Sequence, residues 1–204
     1  MNEQEYKNKI NRDMATISLL MEQFDAADSA AVVSLRDQTG QIMDIYCGNP
    51  KMIMACYASI VNDITIPNSL MTEYDLQNSV NYFLEKKSQT ESQQITDASE
   101  SPDNSTYEPQ SLAKIEDVLE QYKDENEAWV VGFCVTGRAN FMNGIFHGKH
   151  GASELQLEAV SASIARFISN CQCPYCECEM DYDHFMEHVK SILNSMVCIR
   201  KREE

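Results

Sequence analysis

Apolar residues recur at intervals of three or four along much of the chain, which is the spacing of amphipathic helices. This spacing predicts helices over 7–25, 50–61, 72–86, 111–122 and 153–169, and a last one from Asp181 or Asp183 to about Cys198. Short apolar, β-prone runs lie between the helices and predict strands over 31–35, 42–46, 129–135 and 139–146. Helices and strands therefore both contribute to the predicted fold.

Polar residues and glycines mark where these elements begin and end. Thr39-Gly40 and Thr136-Gly137 predict the turns of two β-hairpins, and residues 148–151 predict a loop after the last strand. Helix starts are predicted by their typical residues at three places: Pro50 in a first turn, Thr72 as a cap, and Ser153 with Gln156 as a capping box.

The order helix, strand, turn, strand, helix occurs twice and predicts an α+β fold of two helix–β-hairpin–helix halves. We expect the two hairpins to pair in one antiparallel sheet covered by helices. The halves comprise residues 1–87 and 111–204. Residues 88–110 are rich in Ser, Thr, Gln and acidic residues and have almost nothing to bury, which predicts a disordered linker.

Composition and charge narrow the function classes. The 204 residues are 43% hydrophobic, enough for a packed core. Acidic residues number 32 against 16 basic ones, so the net charge is −16, which disfavours direct nucleic-acid binding and suits a basic protein partner. The polar start does not resemble a secretory leader, and no apolar run approaches the roughly 18–20 residues of a membrane helix. We expect a cytoplasmic protein that does not enter a membrane.

Half of the eight cysteines lie within eight consecutive residues, with two histidines soon after. In a reducing compartment such a cluster indicates metal binding before disulfides. Cysteine and histidine together favour zinc, and a site with four protein ligands is typically structural. The candidate ligands are Cys171, Cys173, Cys176, Cys178, His184 and His188. Zinc bound there would staple the last helix to the helix before it.

Several ligand sets fit this cluster. The order Cys-x2-Cys-x7-His-x3-His over 173–188 is similar to that of a Cys2His2 zinc finger, but its central spacer is seven residues instead of ~12. The resemblance therefore does not imply DNA reading. The four cysteines form a rival set with net charge −2, and a mixed set of three cysteines and His188 also remains open. An iron–sulfur cluster, a redox pair of Cys173 with Cys176, and free thiols are further alternatives.

Gly144–Gly151 is a weaker candidate site. Its glycines follow a strand and precede a helix, as in phosphate-binding loops, and Gly148, Lys149 and Gly151 are the candidate anion ligands. The spacing does not match a P-loop, because three residues separate the glycines and His150 replaces the hydroxyl residue. Cys134 with His147 or His150 could pair as nucleophile and base, but an apolar strand favours a core role for Cys134.

No set of catalytic acids, bases or nucleophiles stands out, so the sequence leans away from an enzyme. We expect an acidic zinc-binding protein that acts through macromolecular interaction. A specific version of this hypothesis is an inhibitor of a nucleic-acid-binding enzyme, of a mobile-element or anti-defence type. The carboxylates of the inhibitor would then bind the enzyme at the positions where the phosphates of a nucleic acid would bind. The alternative is a small-molecule or nucleotide-binding protein that uses the Gly144–Gly151 loop. In a third hypothesis the zinc segment and the short basic tail, Arg200-Lys201-Arg202, contact nucleic acid.

Overall fold

The computed structural model describes residues 2–22, 29–65, 71–87, 109–136 and 142–200. These residues form six helices and a four-stranded antiparallel sheet, so the predicted α+β class is confirmed. In chain order the elements are α1 (Glu3–Met21), β1 (Ser29–Arg36), β2 (Ile42–Gly48), α2 (Pro50–Ile64), α3 (Glu73–Lys87), α4 (Pro109–Leu119), β3 (Ala128–Thr136), β4 (Met142–His150), α5 (Ser153–Asn170) and α6 (Tyr182–Arg200).

The strands follow the order β2-β1-β3-β4, with β1 and β3 at the centre of the sheet. These two strands are antiparallel and pair with Val32 opposite Gly132. Each also pairs with the strand that follows it in the chain. Both central strands are buried, because helices cover the two faces of the sheet.

Alternation along β1 assigns its side chains to two separate cores. Ala30 and Val32 point to the face covered by α2 and α5, and Ala31, Val33 and Leu35 point to the face covered by α1 and α4. On the first face, α3 packs against α5 and α6 packs against α2. The candidate metal segment lies between α5 and α6 and therefore joins the helical layer on this face.

Side-chain caps explain where the first three helices begin. Asn2 and Glu5 form a capping box at α1, which the sequence analysis did not identify. Asn49 caps α2 with Pro50 in the first turn, as predicted for Pro50. The predicted cap at Thr72 is also confirmed: the side chain of Asp75 accepts from the Thr72 amide, and the Thr72 hydroxyl accepts from the Asp75 amide. Asn2, Asn49 and Thr72 thus determine where these three helices begin.

The predicted loop at 148–151 is wrong, because β4 continues to His150. Its last residues pair with β3, with His150 opposite Trp129, and the two side chains stack with ring centroids 6.3 Å apart. A Cβ on Gly148 would lie 2.4 Å from Glu116 Oε1, so the lack of a side chain lets α4 approach the strand. Of the predicted loop, Gly151 alone lies outside the strand.

The predicted capping box at the start of α5 is also wrong. Ala152 is the N-cap, Ser153 is the first helical residue, and the cap has no side-chain hydrogen bond. Gln156 instead donates from Nε2 to the carbonyl oxygen of Gly151, 2.7 Å away. Gly151 has φ +96, a left-handed conformation that turns the chain from β4 into the helix.

Two buried tyrosines connect α1 to the second half of the chain. The Tyr6 hydroxyl donates to Glu127 Oε1 at 2.6 Å, and the Tyr122 hydroxyl donates to Asp13 Oδ2 at 2.9 Å. Burial and the neighbouring carboxylate raise the pKa of both tyrosines, so both remain neutral donors. These contacts hold α1 against the segment between α4 and β3.

Parts of the predicted organisation lie outside the described residues. These are 88–108 of the predicted linker and 137–141 of the second hairpin. The helix α4 begins at Pro109, just before the predicted end of that linker. Within the described ranges, each helix is too short or too polar to cross a membrane.

Replacing Gly132 with alanine should lower the free energy of unfolding by about 1–3 kcal/mol, the usual cost of extra volume in a packed core. A Cβ there would lie 2.7 Å from Ile60 Cδ1 and 3.2 Å from Cys56 Cβ. Urea unfolding of wild type and variant measures the change. Ile60→Val removes Cδ1 and should recover part of the loss in the double variant. If the double variant lost the sum of the free energies of unfolding lost by the two single variants, α2 would not approach β3 closely at Gly132.

Candidate metal centre

The segment after α5 folds into a tight turn that we call the knuckle, residues 171–181. The helix ends where the Cys171 amide donates to the Phe167 carbonyl. The Cys173 amide then donates to the Cys178 carbonyl at 2.9 Å, and the Glu177 amide donates to the Cys173 carbonyl at 2.8 Å. Glu177 has φ 59, so the chain passes through a left-handed residue between Cys176 and Cys178. The backbone thereby brings three cysteines into one turn.

Two histidines of α6 face this turn. The helix starts at Tyr182, between the two predicted starts Asp181 and Asp183, and Asp181 accepts the His184 amide through Oδ1 at 2.8 Å. Residues four apart lie on the same side of a helix. The Nε2 atoms of His184 and His188 are accordingly only 3.0 Å apart.

The cysteine and histidine donors approach each other at distances typical of a metal site. Cys173 Sγ lies 3.3 Å from His188 Nε2, and Cys176 Sγ lies 3.5 Å from His184 Nε2. A tetrahedral zinc site with ordinary bond lengths has N···N edges of about 3.3 Å and N···S edges of about 3.6 Å. The donor atoms of Cys173, His184 and His188 all lie within 4.8 Å of one another. This cluster could hold a metal ion.

Cys178 occupies a different place in the cluster. Its Sγ lies 2.7 Å from Cys176 Sγ and 3.6 Å from His184 Nδ1, the ring nitrogen not directed at His188. Cys176, Cys178 and His184 form a second group of donors within 4.8 Å. Two sulfurs at neighbouring corners of a zinc tetrahedron would be about 3.8 Å apart. Cys176 and Cys178 are thus too close to occupy two corners as placed.

Cys171 is the one predicted ligand that belongs to neither group among the described residues. It packs against the core beneath α2 and α5 and forms a hydrogen bond with Tyr46. Five of the six predicted ligand residues are therefore brought together, and the sixth lies at the end of α5.

Burial differs sharply across the cluster. Cys173 is only 1% exposed, while the side chains of Cys176 and Cys178 are exposed. The Tyr175 ring stacks on the His188 imidazole, with centroids 4.5 Å apart and planes at 18°. Lys51, in the first turn of α2, approaches this ring: its Nζ lies 5.5 Å from the Tyr175 ring centroid. One side of the site is thus packed against protein and the other faces solvent.

Sequence reasoning missed the residues that support these donors. Tyr175 gives no signal in the sequence, because its stacking on His188 depends on where α6 lies relative to the knuckle. The sequence predicts Asp181 only as one of two possible starts of the last helix, although aspartate is a typical N-cap residue and its carboxylate accepts the His184 amide. Glu177 is not a residue type that indicates a left-handed turn.

The weaker candidates are not assembled into a site by the described residues. Lys149 forms an ion pair with Asp63 of α2. Cys134 lies in the core beneath α2 and α5, whereas His150 stacks on Trp129, which belongs to the opposite core. The side chain of His147 lies outside the described residues.

Cysteine alkylation should separate the core thiols from the knuckle thiols. Burial raises the pKa of Cys134 to about 11 and that of Cys56 well above its usual value. Because the thiolate is the reactive form, both should react with iodoacetamide at pH 7.5 roughly 100-fold more slowly than an ordinary thiol. Cys176 and Cys178 should be modified first in chelator-treated protein, as read from peptide masses. Early modification of Cys56 in folded protein would contradict the described core.

Comparison with known proteins assigns no relative to this fold. No family model, no curated protein and no solved structure matches the chain. The geometry of the knuckle and of α6 is therefore the basis on which a function is proposed.

Proposed function

We propose that the protein is a non-enzymatic zinc-binding protein that acts by binding another macromolecule. Its chain comprises two helix–β-hairpin–helix halves, and a structural zinc ion staples the C-terminal helix to the knuckle. The ligands are Cys173, Cys176, His184 and His188. The observation that carries this proposal is a chain of close contacts, in which the Sγ and Nε2 atoms of Cys173, His188, His184 and Cys176 lie 3.0–3.5 Å apart in that order. Cys173, His184 and His188 form one group of donors within 4.8 Å, and Cys176 joins this group through His184.

The charge of the donor set supports this choice of ligands. Two thiolates and two neutral imidazoles balance Zn²⁺, whereas four thiolates would leave a charge of −2. Glu177 and Glu179 are exposed carboxylates on the knuckle, and Asp183 is an exposed carboxylate in the first turn of α6. Like charges about 4 Å apart repel by roughly 1 kcal/mol even in water. The neutral set therefore fits an acidic surface better than the tetrathiolate.

The surrounding residues are arranged to hold the donors in place. Cys173 is anchored by its buried position and by the hydrogen bond that its backbone amide donates to the Cys178 carbonyl. Tyr175 stacks on His188, and Asp181 fixes the first turn of α6 that carries His184. The zinc ion would have no catalytic role; it would supply only a positive charge to which all four side chains bind. Four protein ligands saturate a tetrahedral ion, so its binding energy stabilises the fold.

The interaction partner is a basic protein. The net charge is −16, and the knuckle and the first turns of α6 carry five exposed acidic side chains: Glu177, Glu179, Asp181, Asp183 and Glu187. Such a surface repels the phosphate backbone of a nucleic acid and attracts the cationic surface of a protein. A protein that handles nucleic acid presents a cationic surface of this kind, which makes inhibition of such a protein the specific form of the proposal.

The alternative function as a nucleotide-binding protein has weaker support. Lys149 is the cation that would meet a phosphate, and its ammonium group pairs with Asp63. Gly148 and Lys149 lie within β4, where their backbone belongs to the ladder with β3. Neither observation favours an anion at this position.

The purified full-length chain should contain about one zinc ion, as expected of a single tetrahedral site. Cys173→Ser and His188→Ala should each weaken zinc binding on the order of 100-fold, since four ligands share about 10–16 kcal/mol. Competition with a chromophoric chelator measures the affinity.

Cys171→Ser is the matched control, because it removes a thiol of the same segment that lies outside both donor groups. It should retain wild-type affinity. The reverse pattern, with Cys171→Ser weakened and His188→Ala unchanged, would establish the tetrathiolate instead. Chelation should lower the midpoint of thermal unfolding of wild type more than that of His188→Ala, whose weaker zinc binding stabilises the fold less.

The charged surface can be tested with an immobilised arginine-rich peptide. Neutralising Glu177, Glu179 and Glu187 to glutamine should weaken peptide binding severalfold, because all three are exposed on the knuckle and the first turns of α6. The matched control neutralises three exposed acids elsewhere: Asp117, Glu125 and Glu154. Surface plasmon resonance at two salt concentrations compares the variants. Equal losses would refute a localised surface, and a shift of random duplex DNA at physiological salt would refute the choice of partner.

A further inference from the structure

Cys176 and Cys178 are two exposed thiols that compete for one corner of the metal site. Their sulfurs are 2.7 Å apart, closer than two ligands of one tetrahedral ion. Cys176 faces the Nε2 of His184, which is directed at the other donors, and Cys178 faces the Nδ1 of the same ring. One imidazole cannot direct both nitrogens at one ion. Cys178 is therefore a neighbour of the coordination sphere when Cys176 is a ligand.

We propose that Cys176 and Cys178 form a peroxide-sensitive thiol pair whose oxidation to a disulfide releases the metal. The inference rests on the proposed zinc site and adds its regulation. Both thiols are exposed, whereas Cys173 is buried, so an oxidant in solution reaches the pair first. Cys171 is half-buried and lies outside both donor groups, which leaves Cys178 as the partner of Cys176.

The reaction consumes one molecule of hydrogen peroxide. The Cys178 thiolate attacks one peroxide oxygen, the O–O bond breaks, and hydroxide leaves to give a sulfenic acid. The Cys176 thiolate then attacks the Cys178 sulfur, the S–O bond breaks, and a second hydroxide leaves. Two electrons pass from the sulfurs to the peroxide, and solvent protons convert both hydroxides to water. The sulfur of Cys176 is then no longer a metal ligand.

Three ligands remain after oxidation, which is one fewer than a structural zinc site needs. The helix α6 stays attached, because Phe185, Val189 and Ile192 are buried in the core beneath α2 and α5. Release of the ion therefore frees the knuckle and leaves the rest of the fold in place. An exposed disulfide between near neighbours is readily reduced, so the change is reversible by dithiols.

The experiment uses the full chain loaded with Zn²⁺ and freed of excess metal. Its zinc content is measured first, and hydrogen peroxide is then added in the presence of a chromophoric zinc reporter. We expect zinc release together with a peptide in which Cys176 and Cys178 are linked and two hydrogens are lost. Cys178→Ser should release zinc at least about tenfold more slowly, because the thiol that attacks peroxide and becomes the sulfenic acid is then missing. Cys171→Ser should release it at the wild-type rate.

The outcomes separate this switch from the zinc site itself. Zinc present before oxidation but released at the same rate from Cys178→Ser overturns the switch and leaves the site intact. A disulfide that joins Cys173 to Cys176 overturns it equally. A wild-type chain that holds no zinc before oxidation overturns the proposed site, and the switch with it. Recovery of zinc binding after dithiothreitol supports the reversible form.

Discussion

The central strands β1 and β3 pair along their whole length, from Ser29 opposite Val135 to Arg36 opposite Ala128. Since β1 and β3 lie far apart in the chain, this ladder joins segments about one hundred residues apart into one sheet. Arg36 strengthens the join by donating to Glu158 and to the carbonyl of Asn126. Both faces of the paired strands are apolar, so helices must cover each side.

The metal segment depends on this arrangement through the helices of one face. The pairing of β1 with β3 places α2 and α5 together on one face of the sheet, and α6 packs against α2. The knuckle spans from the end of α5 to the start of α6, so its donors meet only when both helices are docked. Lys190 of α6 pairs with Glu73 of α3, and Lys51 of α2 approaches Tyr175. An ion pair thus links α6 to α3, and a cation–ring contact links the knuckle to α2.

The proposed zinc site resolves an electrostatic conflict in an acidic protein. Carboxylates around the knuckle favour a cation nearby but penalise extra thiolates, and a neutral set of two thiolates and two imidazoles satisfies both constraints. The exposed thiols then have two roles that oppose each other, since a thiolate that binds metal is also a nucleophile. Burial protects Cys173 from oxidants, whereas exposure makes Cys176 and Cys178 the responsive part of the site.

Local patterns in the sequence determined the positions of the helices and of most strands. They also determined the Pro50 and Thr72 helix starts and which residues are candidates for the metal cluster. All of these features depend on residues that are close together in the chain. Local patterns misplaced the end of β4 and the cap of α5, where pairing with Trp129 and the turn at Gly151 override local preference. Only tertiary structure decided that Cys171 lies apart from the donors and that Cys178 faces the outer nitrogen of His184. Those positions depend on how α5 and α6 dock, and packing over long sequence distances sets that docking.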